Sequence, residues 1–219
     1  MSYAAVDVGG TKIVGALFGD GGITARLELP TPVVDGRADP GAVLTRRVAD
    51  HLVRSASGGL QGVGVSVCEY VDAGRVTSRE VLGWPPGQGW LDEAFGVDHV
   101  VVESDARCGA RAEMAHGELR GAVSGYAVSW GTGISGCLVV DGRIVEGAHG
   151  RAIALGELVV DGARLESFAS GDAMAQRYGR ATGTTVEGAR DVLGRAASGD
   201  EAAQQVVTSA GAAVADALA

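Results

Sequence analysis

Apolar and polar positions alternate in short runs over much of the chain, and the last quarter reads as helical throughout. Residues 3–8 (YAAVDV) form an apolar run that closes on Asp7 and Val8, with Gly9-Gly10-Thr11 directly behind it. Lys12–Phe18 is a second run of strand character, punctuated by Gly19–Gly22, and Arg26–Leu29 supplies a third. Strand, glycine turn, strand is a meander, unlike the strand-to-helix entry of a P-loop. Residues 30–39 read as a loop, and Asp39 with Pro40 offers a helix N-cap followed by a first-turn proline. Leu44, Val48 and Leu52 recur at i, i+4 and i+8, so the spacing predicts an amphipathic helix over 40–55.

Leu60–Val67 is apolar enough for a buried strand. The stretch 83–90 (GWPPGQGW) has the composition of a loop, and His99–Glu103 is another short strand. Asp105–Leu119 reads as an alanine-rich helix. Tyr126–Trp130 and Ile134–Val140 are strands split by Gly131-Thr132-Gly133, and Asp141-Gly142 between LVV and RIV predicts a two-residue hairpin. Everything from Glu166 onward is helical in pattern. A strand, a glycine-threonine turn and a second strand thus occur twice, near residues 10 and 132. Two unrelated hairpins in a glycine-rich chain are the plain alternative to a repeat.

Composition narrows the picture. The chain has 219 residues and a formal charge of -9, which argues against broad nucleic-acid binding, since that needs a basic surface to release counterions. Neither a membrane-length apolar run nor a signal-peptide pattern is present, so a soluble, cytoplasmic protein with no membrane partner is expected. Cys68, Cys108 and Cys137 are scattered and form no CxxC pair, which predicts neither a disulfide framework nor a thiolate zinc site. Glycine occurs 36 times, more than twice its usual share of about 7%, as a chain with many tight turns requires. Lys12 is the only lysine and asparagine is absent.

Paired small-residue turns of this kind suit phosphate. Glycine lets the backbone approach closely and present N–H groups to an anion, and threonine adds a hydroxyl donor. Asp7, at the end of the preceding strand, can hold a magnesium ion through water, and Lys12 adds positive charge. Taken alone, the first turn is equally compatible with an ordinary hairpin carrying a solvated lysine.

Three segments in order, DVGGTK (Asp7–Lys12), ESDAR (Glu103–Arg107) and WGTGISG (Trp130–Gly136), resemble the ROK family of sugar kinases. GVGVSV (Gly62–Val67), VDGRIVEGAHG (Val140–Gly150) and ESFASG (Glu166–Gly171) extend the resemblance over essentially the whole chain. It implies an α/β protein with the actin-like, ribonuclease-H-like ATPase fold. Two lobes are expected, 1–104 and 105–219, with the cleft between them holding both ligands. It also implies ATP and Mg2+, a small-molecule sugar as partner, and a homo-oligomer as the common state. In the implied roles Asp105 is the base that takes the proton of the sugar hydroxyl, and Asp7 is the metal-side carboxylate. Gly9, Gly10, Thr11 and Lys12 form the first phosphate turn, and Gly131, Thr132 and Gly133 the second. Asp105 at a predicted helix start is also what helix electrostatics alone would favour.

The chain departs from the family pattern in four places. Ser104 stands where the family has a sugar-contacting asparagine, and a serine can still hydrogen-bond a hydroxyl. Cys68-Glu69 replaces a proline-glycine turn that shapes the sugar pocket. The GExGH element survives only as Gly156-Glu157-Leu158-Val159-Val160, which leaves Glu157 as a sugar ligand and predicts no zinc. Finally, the sequence stops inside an alanine-rich helix, short of the strand, glycine-rich turn and closing helices with which the family contacts adenosine. A fragment of a longer protein, a decayed kinase or a non-catalytic sugar or nucleotide sensor is therefore the rival expectation. A repressor is not expected, because the first strand begins by residue 3, before any helix-turn-helix.

Overall fold

A computed structural model describes residues 1–31, 33–34, 37–38, 42–79, 81–82 and 89–219. The expected cap at Asp39-Pro40, much of the loop over 30–39 and most of the loop over 83–90 lie outside the described residues. The chain forms two compact units, Met1–Arg111 with Glu146–Arg151, and Ala112–Val145 with Ala152–Ala219. The chain first crosses from one unit to the other after Arg111.

The first unit contains β1 (Tyr3–Val8), β2 (Lys12–Gly19), β3 (Gly22–Pro30), β4 (Val33–Val34), β5 (Arg37–Ala38), α1 (Ala42–Ser55), β6 (Gly62–Val67), β7 (Val71–Asp72), β8 (Arg75–Val76), α2 (Gly89–Phe95), β9 (Val100–Ser104) and the first half of α3 (Asp105–His116). Five strands make a mixed sheet in the order β3-β2-β1-β6-β9. The first three form an antiparallel meander, and β1, β6 and β9 run parallel. Period-two alternation explains which face is buried. Ala4, Val6 and Val8, then Val63, Val65 and Val67, then Val100 and Val102 all turn into one core with Val48 and Leu52 of α1 and Leu91 and Phe95 of α2. Helix α1 lies so close on β2 that a Cβ at Gly15 would overlap the Val48 side chain. Two expectations change here. β4 and β5 pair as a two-residue ladder inside the stretch read as loop, and α2 begins at Gly89, inside the stretch read as irregular.

The second unit contains the rest of α3, then β10 (Ser124–Trp130), β11 (Ile134–Val140), β12 (Arg143–Ile144), β13 (Val159–Val160), β14 (Ala163–Arg164), α4 (Leu165–Ala169), α5 (Gly171–Thr182), α6 (Ala189–Ala197) and α7 (Glu201–Leu218). Strands β10, β11 and β12 form an antiparallel sheet. Asp141 and Gly142 both take positive φ (50° and 67°), the primed turn that their dipeptide predicts. Ile134, Leu165, Met174, Tyr178, Val192, Val206 and Ala210 share the core of this unit. Among the described residues no helix is long and apolar enough to cross a membrane.

Candidate active site

In the first unit the C-terminal ends of β1, β6 and β9 lie along one edge of the sheet, the edge at which open parallel sheets bind ligands. On the face turned away from α1, Asp7, Ser66 and Glu103 stand side by side in register. The Ser66 hydroxyl donates to Asp7 Oδ1 at 3.0 Å. Asp105 follows directly on the last residue of β9 as the first residue of α3, and its Oδ1 accepts the Ala106 N–H at 2.7 Å. Asp105 reaches the surface, yet the protein packed around its carboxyl desolvates the charge. That effect, joined by repulsion from Asp7, outweighs the backbone bond and raises its pKa above the ordinary 3.8. A carboxyl so placed can accept a proton nearer neutral pH than a solvated one.

Two thiols border the same carboxylates. Burial, with the charges of Asp105, Glu69 and Asp7, pushes Cys68 up to about 12, and burial likewise raises Cys108. Both are therefore neutral thiols rather than nucleophiles at physiological pH.

The first glycine turn is held from two sides. Gly9 N–H donates to Lys12 O at 3.0 Å, and Thr31, nearly fully buried, donates its N–H to Thr11 O at 2.9 Å and its hydroxyl to Gly9 O at 2.8 Å. The N–H groups of Gly10 and Thr11 have no acceptor among the described residues. Gly10 lies against Val81: a Cβ there would stand 2.9 Å from Val81 Cγ1, so the valine would have to shift. Lys12 Nζ stands 3.7 Å from Glu28 Oε1 and is exposed, so its charge is shared with a neighbouring carboxylate. Thr31→Val keeps the shape but leaves Gly9 O without its partner. We expect a loss of about 1 kcal/mol, read from urea midpoints at unchanged slope.

The second turn has the same economy within its own unit. Gly131 N–H donates to Gly133 O at 3.0 Å, and the N–H groups of Thr132 and Gly133 have no acceptor among the described residues. Helix α4 and its exit brace it: Glu166 Oε2 accepts the Ile134 N–H at 2.8 Å, Trp130 Nε1 donates to Ala169 O at 2.8 Å, and Gly171 N–H donates to Gly131 O at 2.7 Å. A Cβ at Gly171 would stand 2.6 Å from Gly131 O, which explains the glycine that closes ESFASG.

Ser104, where a sugar contact was expected, has no exposed surface, and its hydroxyl accepts the Arg107 N–H at 3.4 Å as the N-cap of α3. Its contribution is to hold the helix start that presents Asp105. Glu157 lies in the second unit, exposed, with Oε2 3.1 Å from Arg164 Nη1. Thr31, Glu69, Arg107 and Glu166 support the turns and Asp105. None is assigned a role from sequence, although Cys68-Glu69, ESDAR and ESFASG contain three of them.

The profile of the ROK family matches residues 3–219. The chain is 33% identical over 169 residues to a glucokinase of Halalkalibacterium halodurans, covering 72% of this chain and 50% of that protein. It is 28% identical to an N-acetylmannosamine kinase of Escherichia coli, over 94% of this chain and 74% of the relative. Among solved structures it is similar to a ROK hexokinase of Thermus thermophilus (26% identity, TM-score 0.69, 94% of this chain and 72% of that one). It is also similar to a ROK glucokinase of Streptomyces griseus solved with glucose and AMPPNP (23% identity, TM-score 0.75, 94% and 74%). The chain thus spans half of the first of these relatives and about three quarters of the others. With a match that runs from the first strand to the last helix, the chain belongs to the ROK family and has the actin-like ATPase fold of its sugar kinases.

Proposed function

We propose that the chain carries the site of an ATP-dependent kinase acting on a hexose or hexose derivative. The observation that carries this reading is the Asp105 carboxyl, its pKa raised beside Asp7 at the strand-end edge that also bears a glycine turn whose Gly10 and Thr11 N–H groups have no acceptor among the described residues. Asp105 accepts the proton of a sugar hydroxyl. The hydroxyl oxygen bonds to the γ-phosphorus of ATP, the bond from that phosphorus to the β–γ bridging oxygen breaks, and ADP departs. Such a transfer depends on position and charge more than on covalent catalysis, which suits a site with one base and backbone donors. In the first unit Gly10 and Thr11 supply those donors, and the turn of the second unit has the N–H groups of Thr132 and Gly133. Glu157 is the remaining candidate for sugar contact.

Mg2+ fits the donor set only as an ion held largely by water and phosphate: Asp7 is exposed with one oxygen engaged by Ser66, and no three-residue ligand cluster occurs among the described residues. Asp7 would hold it, and the ion would neutralise phosphate charge.

The test is a coupled assay of ADP release with ATP, Mg2+ and, in turn, glucose, mannose, fructose, N-acetylglucosamine and N-acetylmannosamine. Release with at least one sugar is expected. Calorimetric binding of sugar and AMPPNP without turnover would instead support a sensor, the reading favoured by valines in place of the GExGH histidine. The absence of both turnover and binding sinks the proposal.

A further inference from the structure

The carboxylate of Glu69 is 4% exposed and lies in the loop that leaves β6, where the family pattern has a proline-glycine turn. One oxygen, Oε1, accepts both the Val81 N–H at 2.8 Å and the Leu82 N–H at 2.7 Å. The other takes the Ser78 hydroxyl, and Ser78 Oγ in turn accepts the Tyr70 N–H at 2.8 Å. Thr77 N–H closes the same fold-back on Tyr70 O at 2.8 Å. These bonds return the chain to the end of β6, where Leu82 is fully buried and the half-exposed Val81 lies on Gly10, its Cγ1 2.9 Å from where a Gly10 Cβ would stand. Cys68 N–H, beside Glu69, donates to Val8 O at 3.3 Å, immediately before the same turn.

We infer that Glu69 is a positioning residue for the phosphate turn: it holds Val81 and Leu82, and through Val81 it fixes the Gly9–Lys12 backbone. Its consequence for nucleotide rests on the kinase reading, whereas the mechanical link from Glu69 to Gly9 does not. A buried carboxylate that satisfies two adjacent N–H groups is costly to remove, because both donors are then stranded. The segment carrying Val81 thereby loses its anchor, and the turn loses the surface against which Gly10 is pressed.

Hydrogen exchange on the wild type, Glu69→Ala and Glu69→Gln, without ligand, tests the link. In Glu69→Ala the Val81, Leu82 and Gly9 amides should all exchange at least about tenfold faster. Glu69→Gln should stay within about threefold of wild type, since an amide oxygen still accepts both N–H groups. If Glu69→Ala does not fold, Val81→Ala takes its place: it shortens the side chain that meets Gly10 and should still speed Gly9. Faster exchange confined to 69–82 with Gly9 unchanged overturns the proposal. Calorimetry with AMPPNP adds the functional readout, an increase in Kd of about tenfold (1.4 kcal/mol) for Glu69→Ala that Glu69→Gln reverses. If wild type binds no AMPPNP the kinase reading falls, and exchange at Gly9 still decides the role of Glu69.

Discussion

Asp105→Asn should lower kcat for sugar phosphorylation about 10²–10⁴-fold, the range set by losing a general base, while the protein melts at the same temperature or higher. The two outcomes share one cause. Desolvation and the nearby Asp7 charge make the ionised carboxyl unfavourable in the folded protein, so its folded pKa lies above its unfolded value. By linkage, that strain is present in full above the folded pKa and is relieved as pH falls through it, the reverse of a salt-bridged aspartate. Asparagine removes the charge and the strain together. In the proposed reaction catalysis runs the other way, because Asp105 as base must be ionised: the acid limb of kcat/KM should then sit above the ordinary aspartate value of 3.8. It should be missing from the residual activity of Asp105→Asn. Near-wild-type activity in that variant would remove Asp105 from the chemistry, and a large drop in Tm would assign it a structural role instead.

The meander of the first unit and the Asp141-Gly142 hairpin of the second could be read from sequence because their causes are local. Alternation places Val6 and Val8 inward and Asp7 outward, and Asp141-Gly142 suits a turn that needs two positive φ angles. Helix α2 was missed because it begins on Gly89 within a run of loop-like residues and buries only Leu91 and Phe95. The bracing of the site was hidden for a different reason. Thr31 reaches Gly9 across 22 positions and Glu166 reaches Ile134 across 32, and no local pattern records such a partner. Ser104 shows the converse. Its chemistry allows it to bond a sugar or to cap a helix, and only the packing around it selects the cap.

Arg107→Ala should destabilise the first unit by about 3–5 kcal/mol, the scale for breaking a buried ion pair from one side. The guanidinium is 1% exposed and every part of it is engaged. Its Nε donates to Glu103 Oε1 at 2.7 Å, its Nη1 to Gly150 O at 3.3 Å and its Nη2 to Val71 O. It thus ties β9, β7 and the returning segment Glu146–Arg151 to the start of α3, two residues from Asp105. Gly150 permits the close approach: its φ is +71°, and a Cβ there would overlap the Val71 carbonyl. For a unit of this size the loss corresponds to a fall in Tm of about 15 °C. Arg107→Lys should recover only part of it, because an ammonium cannot match the planar fork that serves a carboxylate and two carbonyls together. The pH dependence supplies an independent check. Burial pushes Glu103 up, but the Arg107 hydrogen bond, the Ser104 N–H, the Arg107 charge and the Arg111 bond together hold its carboxyl below the ordinary 4.5. That contribution is present in full above the unfolded pKa and is lost as pH falls through the lower folded value. In Arg107→Ala the stretch of acid-dependent stability should therefore shrink, while hydrogen exchange over 146–151 rises. A variant within about 1 kcal/mol of wild type, or an unchanged acid profile, would mean that water replaces the guanidinium and that the tie does not govern this unit.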